Sequence, residues 1–195
     1  MAWIESRKKS NGAQPLPYIA ANGQQLVTLP LYSDDCPIIK AKLMTCVPAG
    51  QQVIIGDIWD ANGVIFYTEN NVFNALYFRY SSSSVSNITN VKWCEPVEVE
   101  LDYTNGSIKY DGVLYSGSPK TQLHNAIKLF GQNTTTRRGL VYIFEMKIYV
   151  NDVLVMNLVP MLDSNTGAGY LHDTIGNQDY YSETSVPLIY GEFSA

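Results

Sequence analysis

Basic residues, histidine and cysteine are scarce in this 195-residue chain, and each shortage removes a class of function. Thirteen Lys and Arg against 18 Asp and Glu leave a net charge of −5, which argues against a basic surface for nucleic acid. The only histidines are His124 and His172, and no Cys/His spacing suits a zinc site. His172 adjoins Asp173, but neighbours on a strand point to opposite faces and are not expected to pair. There is no G-x-S-x-G elbow, and Cys94 has no histidine near it in sequence, so a catalytic triad has little support. No glycine-rich loop ends in Gly-Lys-Ser/Thr, and no cofactor is expected.

The three cysteines, Cys36, Cys46 and Cys94, are odd in number, which argues against a disulfide framework. Cys36 and Cys46 bracket a predicted strand that would hold them roughly 30 Å apart. Three free thiols used as small core residues are expected. The opening MAWIESRKKSNG lacks an apolar run of signal-peptide length, and no stretch approaches the ~20 apolar residues of a membrane span. A soluble chain made in a cytoplasm, without a membrane partner, is the expectation.

What is abundant is the pattern of strands. Gly139 to Pro160, GLVYIFEMKIYVNDVLVMNLVP, reads as two long strands joined by Asn151-Asp152, both of which tolerate left-handed backbone. Uninterrupted pairing sets Val150 opposite Val153, Ile148 opposite Val155, Met146 opposite Asn157 and Phe144 opposite Val159. That face is apolar apart from Asn157 and must be buried against a second sheet. Further runs are expected at Gln25–Leu29 (closed by Pro30), Ile38–Cys46, Val53–Trp59, Val64–Thr68, Asn74–Tyr80, Val97–Tyr103, Ser107–Tyr110, Val113–Tyr115 and Ala126–Phe130. Tyr170–Asp173, Tyr180–Tyr181 and Pro187–Tyr190 close the series, with Ser81–Ser84 read as a polar loop. Ser118-Pro119 with Leu123, Ile127 and Phe130 at helical spacing allows a short helix as the alternative over that segment. The pattern predicts an all-β fold, a two-sheet antiparallel sandwich with jelly-roll wiring. Residues 1–17 form an aperiodic arm, and 18–195 the domain.

Several constellations invite chemistry. Glu98, Glu100 and Asp102 share one strand face at ~6.5–7 Å spacing. Paired carboxylates hydrolyse sugars, but a solvated outer face opposite Val97, Val99 and Leu101 explains them as well. Asp60-Ala61-Asn62-Gly63 and Asp163-Ser164-Asn165-Thr166-Gly167 resemble fragments of calcium loops without the later Glu, and turns favour the same residues, so no metal is expected. Aromatic residues make up 12% of the chain. Phe66, Phe78, Phe130 and Phe144 are expected in the core. Asp57, Trp59, Tyr67, Tyr77 and Arg79 lie close together in sequence as a candidate ligand site, with rings to stack on sugars and polar groups to bind hydroxyls; a buried structural cluster is the alternative.

In the C-terminal third, LFGQN, then VYIFEMKIYVNDVLVMNLVP, then GAGYLHDTIGNQDYY resembles the closing half of concanavalin A-like (laminin-G-like) jelly rolls, particularly those of phage tail and virion proteins. Pro160 and Asp173 match the family pattern, while Asn157 replaces a usual acidic residue and His172 a usual aromatic. The alternating catalytic carboxylates of the family's glucanases are not reproduced by Glu98-Val99-Glu100-Leu101-Asp102, so no catalytic residue carries over. The resemblance implies a non-enzymatic virion protein, made in the host cytoplasm and displayed on the particle, that binds carbohydrate. Trp3, Ile4, Arg7, Lys8 and Lys9 of the arm would anchor it to other virion proteins. A homo-oligomer fits the same expectation. A glycan-degrading enzyme and an adaptor without ligand are the alternatives.

Overall fold

In the computed structural model, the structure describes residues 12–46, 52–57, 64–68, 76–80, 85–88, 90–116, 124–131 and 140–191. The strands are β1 (Ala13–Pro15), β2 (Ile19–Asn22), β3 (Val27–Tyr32), β4 (Ile38–Thr45), β5 (Gln52–Gly56), β6 (Val64–Thr68), β7 (Leu76–Tyr80) and β8 (Val85–Ile88). They continue with β9 (Val97–Asp102), β10 (Ser107–Tyr110), β11 (Val113–Ser116), β12 (Ala126–Leu129), β13 (Leu140–Val150), β14 (Val153–Asp163), β15 (Ala168–Asp173) and β16 (Gln178–Tyr180). The only helical element among the described residues is a 3-10 turn at Ser33–Asp35.

All pairings are antiparallel and build two sheets. The larger, ten-stranded sheet runs β11-β10-β9-β4-β13-β14-β15-β16, with β1 on β14 and β2 on β13. The smaller runs β3-β12-β5-β6-β7-β8. One core lies between them. Ile39, Leu43, Ile143, Met146, Ile148, Met156, Leu158 and Leu171 come from the large sheet, and Leu29, Ile55, Phe66, Ile127 and Leu129 from the small one. Each such side chain contributes roughly 1.5–3 kcal/mol by leaving water. The sandwich follows from period-two burial, as along β9, where Val97, Val99 and Leu101 are buried and Glu98 is exposed.

The central hairpin turns as its sequence dictates. Asn151 and Asp152 adopt φ of 49° and 62°, the left-handed pair of a type I′ turn. Its register corrects the uninterrupted reading. Val150 pairs with Val153 and Tyr149 with Leu154, but Ile148 then pairs with Met156, Lys147 with Asn157 and Met146 with Leu158. A bulge at Val155 inserts one residue, so Met156 and Leu158 turn into the core while Asn157 turns outward with Lys147. A second irregularity, between Ile143 and Glu145 where β13 pairs with β4, skips Phe144. Val141 and Ile143 before it, and Met146 and Ile148 after it, therefore all face inward. Phe144, expected in the core, is only half-buried and meets the ring of Tyr18 edge-on at 6.1 Å.

The domain edge also moves. β2 pairs with Leu140–Ile143 of β13, and β1 pairs with Met161–Asp163 of β14. The N-terminal segment thus fills the wedge where β13 and β14 part, stitched by the Leu16 N–H donating to the Pro160 carbonyl at 3.0 Å. Residues 13–15 belong to the sheet rather than to an arm. The anchor candidates Trp3, Ile4, Arg7, Lys8 and Lys9 lie outside the described residues.

Other differences have local causes. β3 runs through Pro30 because it is an edge strand, where a missing N–H costs no ladder bond. Ala126–Leu129 is a strand, since pairing with both β3 and β5 outweighs the helical spacing of Ile127 and Phe130. β8 follows the serine run as a strand that composition does not announce. Leu188 and Ile189 make only isolated bridges, to Gly169 and Ala20. The thiols are not core residues: Cys94 is exposed, and Cys36 and Cys46 are half-buried.

The wedge yields a prediction. A chain lacking residues 1–17 will melt below one lacking residues 1–11, because removing β1 leaves Met161–Asp163 paired on the β15 side alone and uncovers the Ala13–Met161–Tyr170 cluster. Equal melting temperatures would contradict this role for β1.

Candidate functional site

Two of the five residues of the ligand site expected around the 57–79 hairpins, Asp57 and Tyr67, serve structure. Asp57 is buried; its Oδ1 accepts the Val64 N–H at 2.7 Å, and its own N–H donates to the Val64 carbonyl at 3.1 Å. The carboxylate thereby holds the mouth of the β5–β6 hairpin. Tyr67 is buried with Val53 and Ile65. Tyr77 and Arg79 stand at register positions opposite Tyr67 and Ile65. Trp59 lies outside the described residues, as does Asp60–Gly63.

The carboxylate run on β9 belongs to the outer face of the ten-stranded sheet. Register aligns Lys109, Glu100, Lys40, Lys147 and Asn157 in one row across five strands. Lys40 Nζ sits 3.1 Å from Glu100 and 5.4 Å from the centre of the Tyr149 ring. Asp102 accepts the Asn105 backbone N–H at 2.9 Å and its side-chain amide at 2.7 Å, fixing the turn into β10. Two of the three carboxylates are thus engaged on an open face. Exposed ion pairs of this kind contribute about 0–1 kcal/mol.

A better-formed polar and aromatic cluster lies on the same face at the other end, on β14, β15 and β16. Register sets Met161 beside Tyr170, Val159 beside His172 and His172 beside Asp179. Tyr170 is buried against Ala13 and Met161, and Tyr181 stacks on it with ring centres 4.9 Å apart and planes at 23°. Tyr181 keeps 42% of its surface exposed. His172 Nδ1 lies 2.6 Å from Asp179 Oδ1. An ionised carboxylate only accepts, so Nδ1 carries a proton in this geometry. The expectation that His172 and Asp173 do not pair holds, because Asp173 points the other way. Its Oδ1 accepts the N–H groups of Asn157 and Ile175, and its Oδ2 that of Gly176, which shapes the β15–β16 turn.

Asp163 completes the cluster. Its Oδ1 accepts the Asn165 N–H at 2.9 Å and its Oδ2 the Thr166 hydroxyl at 2.8 Å, so this fragment of a calcium-loop pattern is used as a turn. Those bonds, the Asn165 backbone N–H first, hold its carboxyl below the usual range. Burial first, then the charges of Asp179, Tyr181 and Asp163, push the Tyr170 phenol up to about 12. Tyr181 is raised too, by burial and then by Asp163 and Asp179. Both phenols are therefore neutral donors beside two carboxylates at physiological pH. No group of three or more His, Cys, Asp or Glu that could hold a metal occurs among the described residues. In sequence Asp163 stands out only as a turn or calcium-loop fragment and His172 only beside Asp173, while Tyr170 and Tyr181 read as strand residues. The alternation of Tyr170 with His172 could have flagged their shared face; the stack with Tyr181 could not be read without the pairing of β16.

A protein from Bacteroides ovatus, provisionally named as carbohydrate-binding, superposes with a TM-score of 0.59 at 11% identity, over 93% of this chain and 61% of its own. Trypanosoma rangeli sialidase in complex with sialic acid gives a TM-score of 0.54 at 13% identity, over 73% of this chain and 27% of its own. The likeness is one of fold. Another T. rangeli sialidase structure is matched over only 21% of its length, so this chain spans a minor part of the sialidases and about three fifths of the Bacteroides protein. No protein-family model matches the chain, and no curated protein does.

The tyrosine shift predicts a pH dependence. Below about pH 10 Tyr170 is protonated in both folded and unfolded chains, and its contribution is intact. As pH rises towards about 12 the unfolded chain loses its phenol proton first, so stability falls across that window. Thermal melts of Tyr170→Phe should show a shallower fall than the parent; parallel curves would contradict the assignment.

Proposed function

We propose that this chain is a non-enzymatic carbohydrate-binding β-sandwich, with the Tyr170–Tyr181 platform as its sugar-contacting surface. The observation that carries the reading is an exposed tyrosine ring, held flat by a buried second tyrosine and flanked by Asp163, His172 and Asp179. Sugar rings present an apolar C–H face and a polar hydroxyl rim. A fixed aromatic face takes the first, and neighbouring carboxylates take the second. The platform is preorganised, because Tyr170 is anchored on β15 between Met161 and Ala13. The fold likeness to a protein provisionally named as carbohydrate-binding supports this reading.

The finer part of the proposal rests on the resemblance to virion jelly rolls. The sandwich is displayed on a phage particle, and residues 1–11, which carry Trp3, Ile4, Arg7, Lys8 and Lys9, anchor it to other virion proteins. Removing those residues spares every described strand and, on this reading, abolishes incorporation into the particle; retained incorporation would remove the anchor.

Screening the full chain on a glycan array, followed by titration of the best hit, tests the sugar site. Tyr181→Ala should weaken binding by about tenfold or more, equivalent to about 1.4 kcal/mol, with an unchanged melting temperature. Asp179→Asn should weaken it as well. A parent chain that binds no glycan, or a Tyr181→Ala variant that binds equally, rejects the platform.

A further inference from the structure

Cys46 and Cys94 are distant in sequence, yet their sulfurs lie 2.6 Å apart. Cys46 directly follows β4, and Cys94 occupies the tight turn before β9. The Cys94 N–H donates to the Thr45 carbonyl at 2.8 Å, and its backbone takes a left-handed φ of 58°. The flanking strands are fixed to each other, with Leu43 opposite Val97. A disulfide bond is about 2.05 Å long, so closing it needs only a small shift of the two side chains. Cys36 lies apart from this pair, at the end of the Ser33–Asp35 turn, with its carbonyl accepting the Thr104 hydroxyl.

We propose that Cys46 and Cys94 form a redox pair that closes to an intramolecular disulfide by exchange with a small-molecule disulfide such as oxidised glutathione, leaving Cys36 free. Cys94 is exposed and is reached first. Its thiolate attacks one sulfur of the small disulfide, making a mixed disulfide and expelling one small thiolate. Cys46 then attacks the Cys94 sulfur and expels the second. The protein dithiol is oxidised, the small disulfide is reduced, and the two thiol protons pass to the two released thiols. The order follows from the environment of Cys46, whose thiol is pushed up to about 12 by burial, then by the hydrogen bond and charge of Cys94. Derivatising Cys94 removes the last two causes, so Cys46 becomes a better nucleophile once its partner has reacted.

The bond would have a structural effect. The segment between the two cysteines carries β5 to β8, so the link would close a loop containing most of the small sheet against β4 of the large one. Such a closure restricts the unfolded chain. It would stay open in a reducing cytosol and close in an oxidising exterior.

The full folded chain, incubated with oxidised glutathione and then alkylated, tests this. Alkylatable thiols should fall from three to one, with Cys36 labelled, no glutathione retained, and a peptide linking Cys46 to Cys94 in the non-reduced digest. Cys46→Ser should instead trap glutathione on Cys94. A parent chain that retains glutathione on Cys94 with Cys46 alkylatable, or that links Cys36 to either cysteine, would overturn the proposal.

Discussion

The two irregularities of the central hairpin keep one face of the large sheet dry along its whole length. Without the extra residue at Val155, Asn157 would enter the core and Met156 and Leu158 would leave it. Without the skip at Phe144, Val141 and Ile143 could not share a face with Met146 and Ile148. Strand side chains alternate strictly, so a slip of one residue exchanges every inward group for an outward one. The long strands of this sandwich change phase to match a sequence whose apolar residues change phase. Where β13 and β14 separate, β1 and β2 take the released edges, and the outer face gains the buried Ala13–Met161–Tyr170 cluster.

That arrangement positions the proposed site. Tyr170, on the outer face of β15, is held by Met161 beside it and by Ala13 of β1. Its ring therefore presents a fixed surface on which Tyr181 stacks. His172 and Asp179 are register partners, so their contact is set by the sheet rather than by loop geometry. The aromatic platform, the His–Asp pair and the Asp163 turn thus all derive from backbone pairing at the end of the sheet furthest from β11.

Much of the fold was legible because polar and apolar residues alternate plainly along Ile38–Thr45 and Val97–Asp102, and because Asn151-Asp152 and Asp111-Gly112 can adopt left-handed backbone. The bulges were not legible, because Val155 is as apolar as its neighbours and either phase buries valines and leucines. The tail of the supposed arm was unreadable because Ala13–Pro15 has no alternation; it is a strand only because β14 offers an unpaired edge. Two members of the candidate site serve structure for a related reason. Asp57 and Tyr67 look available in sequence, but a hairpin mouth needs a carboxylate acceptor and the small sheet buries that ring. The Cys46–Cys94 contact depends on a turn returning to the end of β4, a long-range event with no local signal.

Cysteine scanning of the β14 bulge tests the register most directly. Single cysteines at 155, 156, 157 and 158, in a chain with Cys36, Cys46 and Cys94 replaced by serine, would be alkylated in the folded state. The bulged register predicts that positions 156 and 158 are protected while 155 and 157 react. Protection of 155 and 157, with reaction at 156 and 158, would contradict it.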